Sequence, residues 1–415
     1  LAAVLATSRF VAYAEREREG RSLGPTCIDL FSGAGGLAEG FRQAGFTIKS
    51  GSDIDYGAGT TFHYNFPEAS FLCAPIADLE GSFLLRDAGL RKWELDCLIG
   101  GPPCQAFSYN NHQRTAKGVR ARLFRDYLRL VAELRPKTLV MENVPGILTV
   151  GDGRVVDEII DRLERLGYEC EARILYAEEF GIPQERRRVF FIATRLGWDD
   201  QLFPAGTFGP VAKPDEKQNP YIHRWKPRPR AKYGNLDEVT IWSAIGDLPS
   251  LANGEGREVR KHERDAQTWL QKKLRGRIKL VFNHVAPNLG KAMINRIRHV
   301  PAGGSWTDIP RELLPAGMLR AHLSDHTKRY GRPRKKDRCC TILTKSDPHW
   351  GSYIHPTSHR TLTVREAARL QSFPDRFRFL GDRSNQFAQV GNAVPPWMAR
   401  AIAEEIIHHI EEADD

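Results

Sequence analysis

Through the first half of the chain, short apolar runs alternate with helical patterns, and this alternation restricts the fold more than any other feature. The runs are TCIDLF (26–31), FTIKSG (46–51), DCLIGG (96–101), TLVMEN (138–143), ARILYA (172–177) and RVFFIAT (188–194), mostly ending in glycine, asparagine or an acid. Their length and composition predict buried parallel strands. Helical spacing lies between them, clearest in RLFRDYLRLVAEL (122–134) and VVDEIIDRLERLG (155–167), the latter closed by Gly167 as a C-cap. Strand and helix in alternation predict a doubly wound α/β sheet. From 196 to about 340 proline, glycine and charge break the rhythm, and then helical patterning returns. TVREAARLQSF places Thr363 and Glu366 at capping-box spacing, and PPWMARAIAEEIIHHIEE (395–412) starts a closing helix with proline. The expected organisation is an N-terminal helical extension (1–25), a core (26–199), an insertion (200–345) and a return to the core (346–415).

A chain of 415 residues exceeds what one hydrophobic core usually serves, so two lobes are expected. With 41% hydrophobic and 27% charged residues, it has a globular rather than a disordered composition. The seven cysteines form no C-x-x-C pair, which argues against a zinc module and a secreted disulfide framework and for a reducing cytosol. No apolar run reaches membrane-spanning length, and the opening LAAVLATSRFVAYAEREREG is too charged after its first turns for a signal peptide. The net charge of +10 is concentrated: residues 201–340 hold 28 Lys and Arg against 13 Asp and Glu. HRWKPRPRAK (223–232) and RYGRPRKKDR (329–338) mix these cations with Trp and Tyr, as a surface following a phosphate backbone would; a solvated basic linker is the plainer alternative.

Ligands of open α/β sheets sit beyond the carboxyl ends of the strands, so the strand ends are where chemistry is expected. In IDLFSGAGGLAEGF (28–41), Gly33, Gly35 and Gly36 permit a tight turn and close approach of a cofactor. Asp53, twenty residues after Gly33, is placed to accept hydrogen bonds from a ribose diol. This pair points to an adenosine-type cofactor, with nicotinamide, flavin and S-adenosylmethionine all open. A second strand ends in GGPPCQAFS (100–108), where Cys104 stands in a rigid loop and offers a nucleophile for attack on carbon. Cys27, Cys73, Cys97 and Cys170 are expected to be inert. A third ends at Glu142 in LVMENVPG, a carboxyl that can carry a proton to a ring nitrogen. GIPQERRRVFFIA enters a strand through three arginines; period-two alternation puts Arg186 and Arg188 on one face, able to act on a phosphate or on Glu142 and a substrate ring, with Arg187 turned away.

Taken in order, DLFSGAGG, GGPPCQAFS, ENV (142–144), QERRR (184–188), RTLTVREAARLQSFPD (360–375) and QVGNAVPP (389–396) resemble the motifs of DNA (cytosine-5)-methyltransferases of the prokaryotic restriction-modification type, over residues 26 to about 405. The resemblance implies a Rossmann-like, S-adenosylmethionine-dependent methyltransferase sheet with a second, smaller, basic target-recognition domain at 200–345. It implies that the Cys104 thiolate adds to C6 of cytosine, that Glu142 contacts N3 and the exocyclic amine, that Arg188 bonds the carbonyl oxygen, and that Arg186 orients the site. Phe31 and Ile54 would sandwich the adenine and Asp53 would hold the ribose. Ser32, Gly33, Ala34, Gly35, Gly36 and Leu37 would form the cofactor turn, and Asn392 and Ala393 would close it. Two positions depart from the family: Ile54 stands where an aromatic residue is common, and Ala74-Pro75-Ile76, with Asp78 displaced, replaces the usual acid near the third strand.

A target base inside a duplex must be flipped out to be reached, and the polar, basic residues 105–121 suit a lid over DNA. Candidate DNA contacts are Gln105, Ser108, Arg114 and Lys117 in that lid, and Arg228, Arg230, Arg332 and Arg334 in the insertion. NRIRHVPAGGSW (295–306) is a further segment expected to reach the groove. The expected partner is double-stranded DNA, with no metal and no membrane, bound by a monomer in the cytoplasm and at the nucleoid of a bacterium or archaeon. A cognate restriction endonuclease would act separately. A tRNA cytosine-5 methyltransferase and a catalytically inactive DNA-binding relative are the alternatives.

Overall fold

The computed structural model describes residues 24–103, 123–208, 239–322 and 324–414. Its strands begin with β1 (Thr26–Leu30), β2 (Thr47–Asp53), β3 (Ser70–Cys73), β4 (Cys97–Gly100), β5 (Thr138–Asn143) and β6 (Glu169–Tyr176), followed by the two-residue β7 (Gln184–Glu185) and by β8 (Arg187–Thr194). Seven of these form one sheet in the order β3-β2-β1-β4-β5-β8-β6. Pairing is parallel from β3 through β5. The apolar pattern did not single out β3, because none of the four residues of SFLC is fully buried.

One expectation fails in the sheet. RVFFIAT is not a parallel strand: β8 runs antiparallel to both β5 and β6. Only residues 177–186 separate β6 from β8, too few for the crossover of a dozen or more residues that a parallel neighbour requires. The chain therefore turns back, and β8 fills the gap between β5 and β6.

Helices cover both faces of this mainly parallel sheet. On one face α1 (Gly36–Ala44) and α2 (Tyr56–Asn65) contribute Phe41 and Phe62 to a large apolar cluster, joined by Phe66 just past the end of α2. On the other, α3 (Gly81–Ala88), α4 (Leu123–Leu134) and α5 (Arg154–Arg165) contribute Leu84, Tyr127, Leu130 and Ile159. In α4 the buried Phe124, Tyr127, Leu128, Val131 and Leu134 keep the spacing of one helical face. Gly167 follows α5 at φ +83°, the left-handed geometry its sequence position predicted.

Beyond the sheet come α6 (Ile241–Ile245), β9 (Gly256–Lys261), α7 (Trp269–Arg275), β10 (Leu280–Val285), α8 (Lys291–Arg298) and β11 (Cys339–Cys340). The chain then forms α9 (Val364–Leu370), α10 (Arg383–Asn392) and α11 (Pro396–Asp414). The described residues of 200–345 divide between two apolar clusters. Ile241, Ile245, Leu270, Leu274 and Val281 share the large cluster with Leu370, Phe373 and Phe377. A separate small cluster gathers Ile297, Val300, Trp306, Ile309, Met318, Tyr330 and Ile354.

A buried ion pair between Arg369 and Asp247 fastens α9 to the end of α6, while within the C-terminal segment Arg369 reaches Asp375 at 2.6 Å and Arg360 holds Glu366 at 2.7 and 2.8 Å. Thr363 caps α9 in the capping box its spacing to Glu366 predicted. Finally α11 lies on α1 so closely that a Cβ on Gly40 would stand 2.4 Å from both Ala399 Cβ and Pro396 O. Among the described residues, no helix is long and apolar enough to cross a membrane.

Candidate active site

The carboxyl ends of β1, β2, β4 and β5 meet along one edge of the sheet. After β1 the chain turns sharply: Phe31 has φ +56°, uncommon for a residue with a side chain, and Gly33 has φ +51°. The turn is tied to β2, since Ser32 N–H donates to Ser52 O and Gly33 N–H to Asp53 Oδ2, both at 2.9 Å. Above Gly33 a Cβ would meet nothing within 4 Å, so the turn opens onto free space. Ser32, Ala34, Gly36 and Leu37 are buried and shape this turn from beneath.

Asp53 also accepts from Asp55 N–H at 2.9 Å, and an ionised carboxylate with two accepted bonds still has lone pairs to offer. Burial pushes its carboxyl up from the usual range, against the pull of the Asp55 and Gly33 N–H groups. Beside it Ile54 and Tyr56 are 71% and 76% exposed, an apolar shelf without cover. Asp78 is exposed in the short turn Ile76–Asp78.

Sequence reasoning passed over Asp29. It lies within β1, is fully buried, and has no hydrogen-bond partner on either carboxylate oxygen among the described residues. Burial holds it well above the usual carboxylate range, opposed by the nearby Ala38 N–H and reinforced by Asp53. The available signal was an acid in the middle of an otherwise apolar central strand. Such an orphaned group beside an open glycine turn fits a ligand carrying a cationic amine.

The loop after β4 starts at Gly101, whose Cβ would stand 3.2 Å from Glu142 Oε2. Asn143 Nδ2 donates to Pro102 O at 3.2 Å and so pins the Pro-Pro segment to the end of β5. Cys104, Gln105, Ser108, Arg114 and Lys117 lie outside the described residues, as do Arg228 and Arg230.

Glu142 is paired with Arg188, whose Nε stands 2.7 Å from Oε1; both side chains are largely buried. Burial raises the Glu142 carboxyl from its ordinary value, with the charges of Arg188 and Arg186 pulling it down. The reversed direction of β8 makes this pair possible. In the antiparallel register Asn143 faces Val189 and Glu142 faces Phe190, so the start of β8 coincides with the end of β5. A parallel β8 would carry its arginines to the opposite edge.

Arg186 does not reach toward a phosphate. It is buried, with Nη1 donating to Ile342 O and Nη2 to the carbonyls of Gly391 and Ala393 at 3.0 and 2.8 Å. Its guanidinium holds the C-terminal segment against the sheet. That contact brings Ala393 to the glycine turn, where its Cβ lies 2.9 Å from the Cβ position of Gly36, and leaves Asn392 exposed at the end of α10. Arg187 does turn away, over the Tyr176 ring at 5.3 Å.

Of the arginines expected on DNA, Arg332 is buried and engaged with four backbone carbonyls, those of Ile297, Val300, His355 and Ser358, and is therefore structural. Arg334 is exposed, its guanidinium laid over Gly303.

A glycine turn with its acid on the next strand, a Pro-Pro loop and a buried Glu–Arg pair on one edge of a mainly parallel sheet form the layout of a base-modifying methyltransferase. The comparisons place it further. The profile of the family described as C-5 cytosine-specific DNA methylase matches residues 25–408, and the chain belongs to that family. It is 34% identical to the Type II methyltransferase M1.HphI of Haemophilus parahaemolyticus, over 92% of this chain and 86% of that protein. It is 33% identical to the Type II methyltransferase M.DdeI of Desulfomicrobium norvegicum, over 92% and 89%. Among solved structures it superposes with TM-score 0.70 and 25% identity on a prophage-encoded protein from E. coli described as a DNA modification methyltransferase, covering 94% of this chain and all of that one. A DNMT2 structure from Spodoptera frugiperda, 16% identical with TM-score 0.53, shares the fold.

Proposed function

We propose that the chain transfers the methyl group of S-adenosylmethionine to C5 of a cytosine flipped out of a specific duplex DNA sequence, through a covalent bond between Cys104 and C6. The observation that carries this reading is the buried Glu142–Arg188 pair beside the loop that leads to Cys104. When bound, S-adenosylmethionine supplies an electrophilic sulfonium methyl group. Asp53 would accept from its ribose, Phe31 and Ile54 would cover its adenine, Asp29 would face its ammonium, and Asn392 and Ala393 would close the pocket over the turn of Gly33 and Gly35. The cation fits that turn because Asp53 accepts from Gly33 N–H there and Asp29, on the strand that leads into it, has no partner of its own among the described residues.

Cytosine C5 is a poor nucleophile, so the thiolate of Cys104 first adds to C6. Arg188 donates to the carbonyl oxygen of the ring, and Glu142, its carboxyl raised by burial, holds a proton at N3 as the adduct forms. The enamine so produced takes the methyl group at C5. Loss of the C5 proton and departure of the thiolate restore the aromatic ring. Arg186 positions the C-terminal segment and acts on the carboxyl only through its charge. Residues 200–345 supply the recognition of duplex DNA, with Arg334 on its exposed side. The protein works as a monomer in a bacterial or archaeal cytoplasm, alongside a restriction endonuclease that acts separately.

Bisulfite sequencing of DNA from cells expressing the protein gives the target. A duplex with 5-fluorocytosine at that position is then expected to form a complex with the protein that survives denaturation, and Cys104→Ser is expected to abolish it. Crosslinking by the serine variant overturns the nucleophile, and methyl incorporation into tRNA alone overturns the DNA substrate.

A further inference from the structure

After Ile54 and Tyr56 at the cofactor edge, Trp350 is the most exposed large apolar side chain among the described residues, at 56%. It ends the short helix Pro348–Trp350, whose backbone is fixed on both sides. Asp347 caps it by accepting from His349 N–H at 2.9 Å, and Pro348 O accepts from Tyr330 N–H at 2.6 Å. The indole is thus held in water by a rigid support. Arg329 stands over its ring at 5.4 Å, and His349 meets it edge-on at 5.2 Å.

Two tethers tie this group to the arginine motif. Lys328, the neighbour of Arg329, bonds Glu185 at 2.6 Å, one residue before Arg186. From the other side, Arg186 holds Ile342 O, and the exposed Leu343, Thr344 and Lys345 continue from there toward Trp350. Glu185 is neutralised by Lys328, and Arg329 and Lys345 together outnumber Asp347, whose capping bond leaves its charge in place.

An exposed aromatic face on a rigid turn, flanked by cations, has the chemistry of a base-stacking contact with phosphates at its sides. We propose that Trp350 stacks on a base of the DNA next to the target site, with Arg329 and Lys345 paired to the adjoining phosphates. This rests on the DNA-methylating reading above and deepens it by assigning residues to the contact. The positive excess of residues 201–340, Arg329 among them, favours a polyanion as the occupant.

The test measures binding of the sequence-identified duplex by fluorescence anisotropy over a range of salt, together with calorimetric binding of S-adenosylhomocysteine as a check on folding. Trp350→Ala is expected to weaken DNA binding about tenfold, with Trp350→Phe recovering most of the loss. Arg329→Ala is expected to reduce the slope of log K against log salt by about one, a change that Trp350→Ala does not make. Binding by Trp350→Ala within about twofold of wild type, or an equal loss in the alanine and phenylalanine variants, overturns the stacking contact. An unchanged slope in Arg329→Ala overturns the phosphate contact. A wild-type protein that methylates tRNA but not duplex DNA overturns the function proposed above, whereas one that methylates DNA while its Trp350→Ala variant binds the duplex as tightly as wild type overturns only this inference.

Discussion

Glu142 shows how burial and pairing act on one residue in opposite directions. Its desolvated carboxyl favours the protonated form, while Arg188, 2.7 Å away, favours the ionised one. The net shift is upward, so the protonated fraction at neutral pH is larger than for a carboxyl in water. Glu142→Gln removes the proton and leaves Arg188 without its counter-ion. Methyl transfer by this variant is expected to fall by about 10²–10⁴-fold, with binding of S-adenosylhomocysteine retained because Asp53 and the glycine turn are untouched. The pH profile provides a second check. In the wild type the rate is expected to fall as pH rises through the elevated pKa of Glu142, and this limb to vanish in the glutamine variant. Retention of the limb in Glu142→Gln assigns the titration to another group.

At the scale of elements, most of the sheet was legible because apolar runs bounded by turn residues mark buried strands whatever their direction. Direction itself left no trace in RVFFIAT, since a strand buried on both faces has the same composition either way. Only the brevity of residues 177–186 carried that information. The glycine turn and Asp53 were legible for a similar reason, their spacing being local. The roles of Arg186 and Arg332 were not, because their partners, the carbonyls of residues 342, 391 and 393 or of 297, 300, 355 and 358, are far away in sequence. The contact between α1 and α11 was hidden in the same way and is testable. Gly40→Ala adds a methyl where Ala399 and Pro396 already stand at 2.4 Å. It gains about 1 kcal/mol of helix propensity, yet overpacking is expected to outweigh this and leave a net loss of about 1–3 kcal/mol in urea unfolding. A stabilised Gly40→Ala protein is incompatible with this packing.

Across the whole molecule, the buried charges that join residues 240–285 to 355–375 make stability depend on pH. His355 is held neutral by burial, its pKa lowered from 6.5 to about 4. The unfolded chain therefore takes up a proton there first, and stability is lost as pH falls from 6.5 toward about 4. Fully developed, this amounts to about 3 kcal/mol. Glu366 and Asp375 are held well below their ordinary values chiefly by Arg360 and Arg369, which outweigh the effect of burial, so their contribution is present above about pH 4.5 and is lost in turn below it. Urea midpoints are expected to be flat above pH 6.5, to fall between 6.5 and 4.5, and to fall less over that range in His355→Gln. A constant midpoint from pH 7 to 4.5 contradicts the neutral state of His355. The hold of Arg186 on Gly391 and Ala393 has one more consequence, for synthesis. A ribosome extrudes the glycine turn and the arginine motif long before residues 391 to 406, which close one and satisfy the other. A nascent chain therefore leaves Arg186 unsatisfied and the glycine turn uncovered until some two hundred further residues have been made, and one stopped before residue 391 never closes that turn.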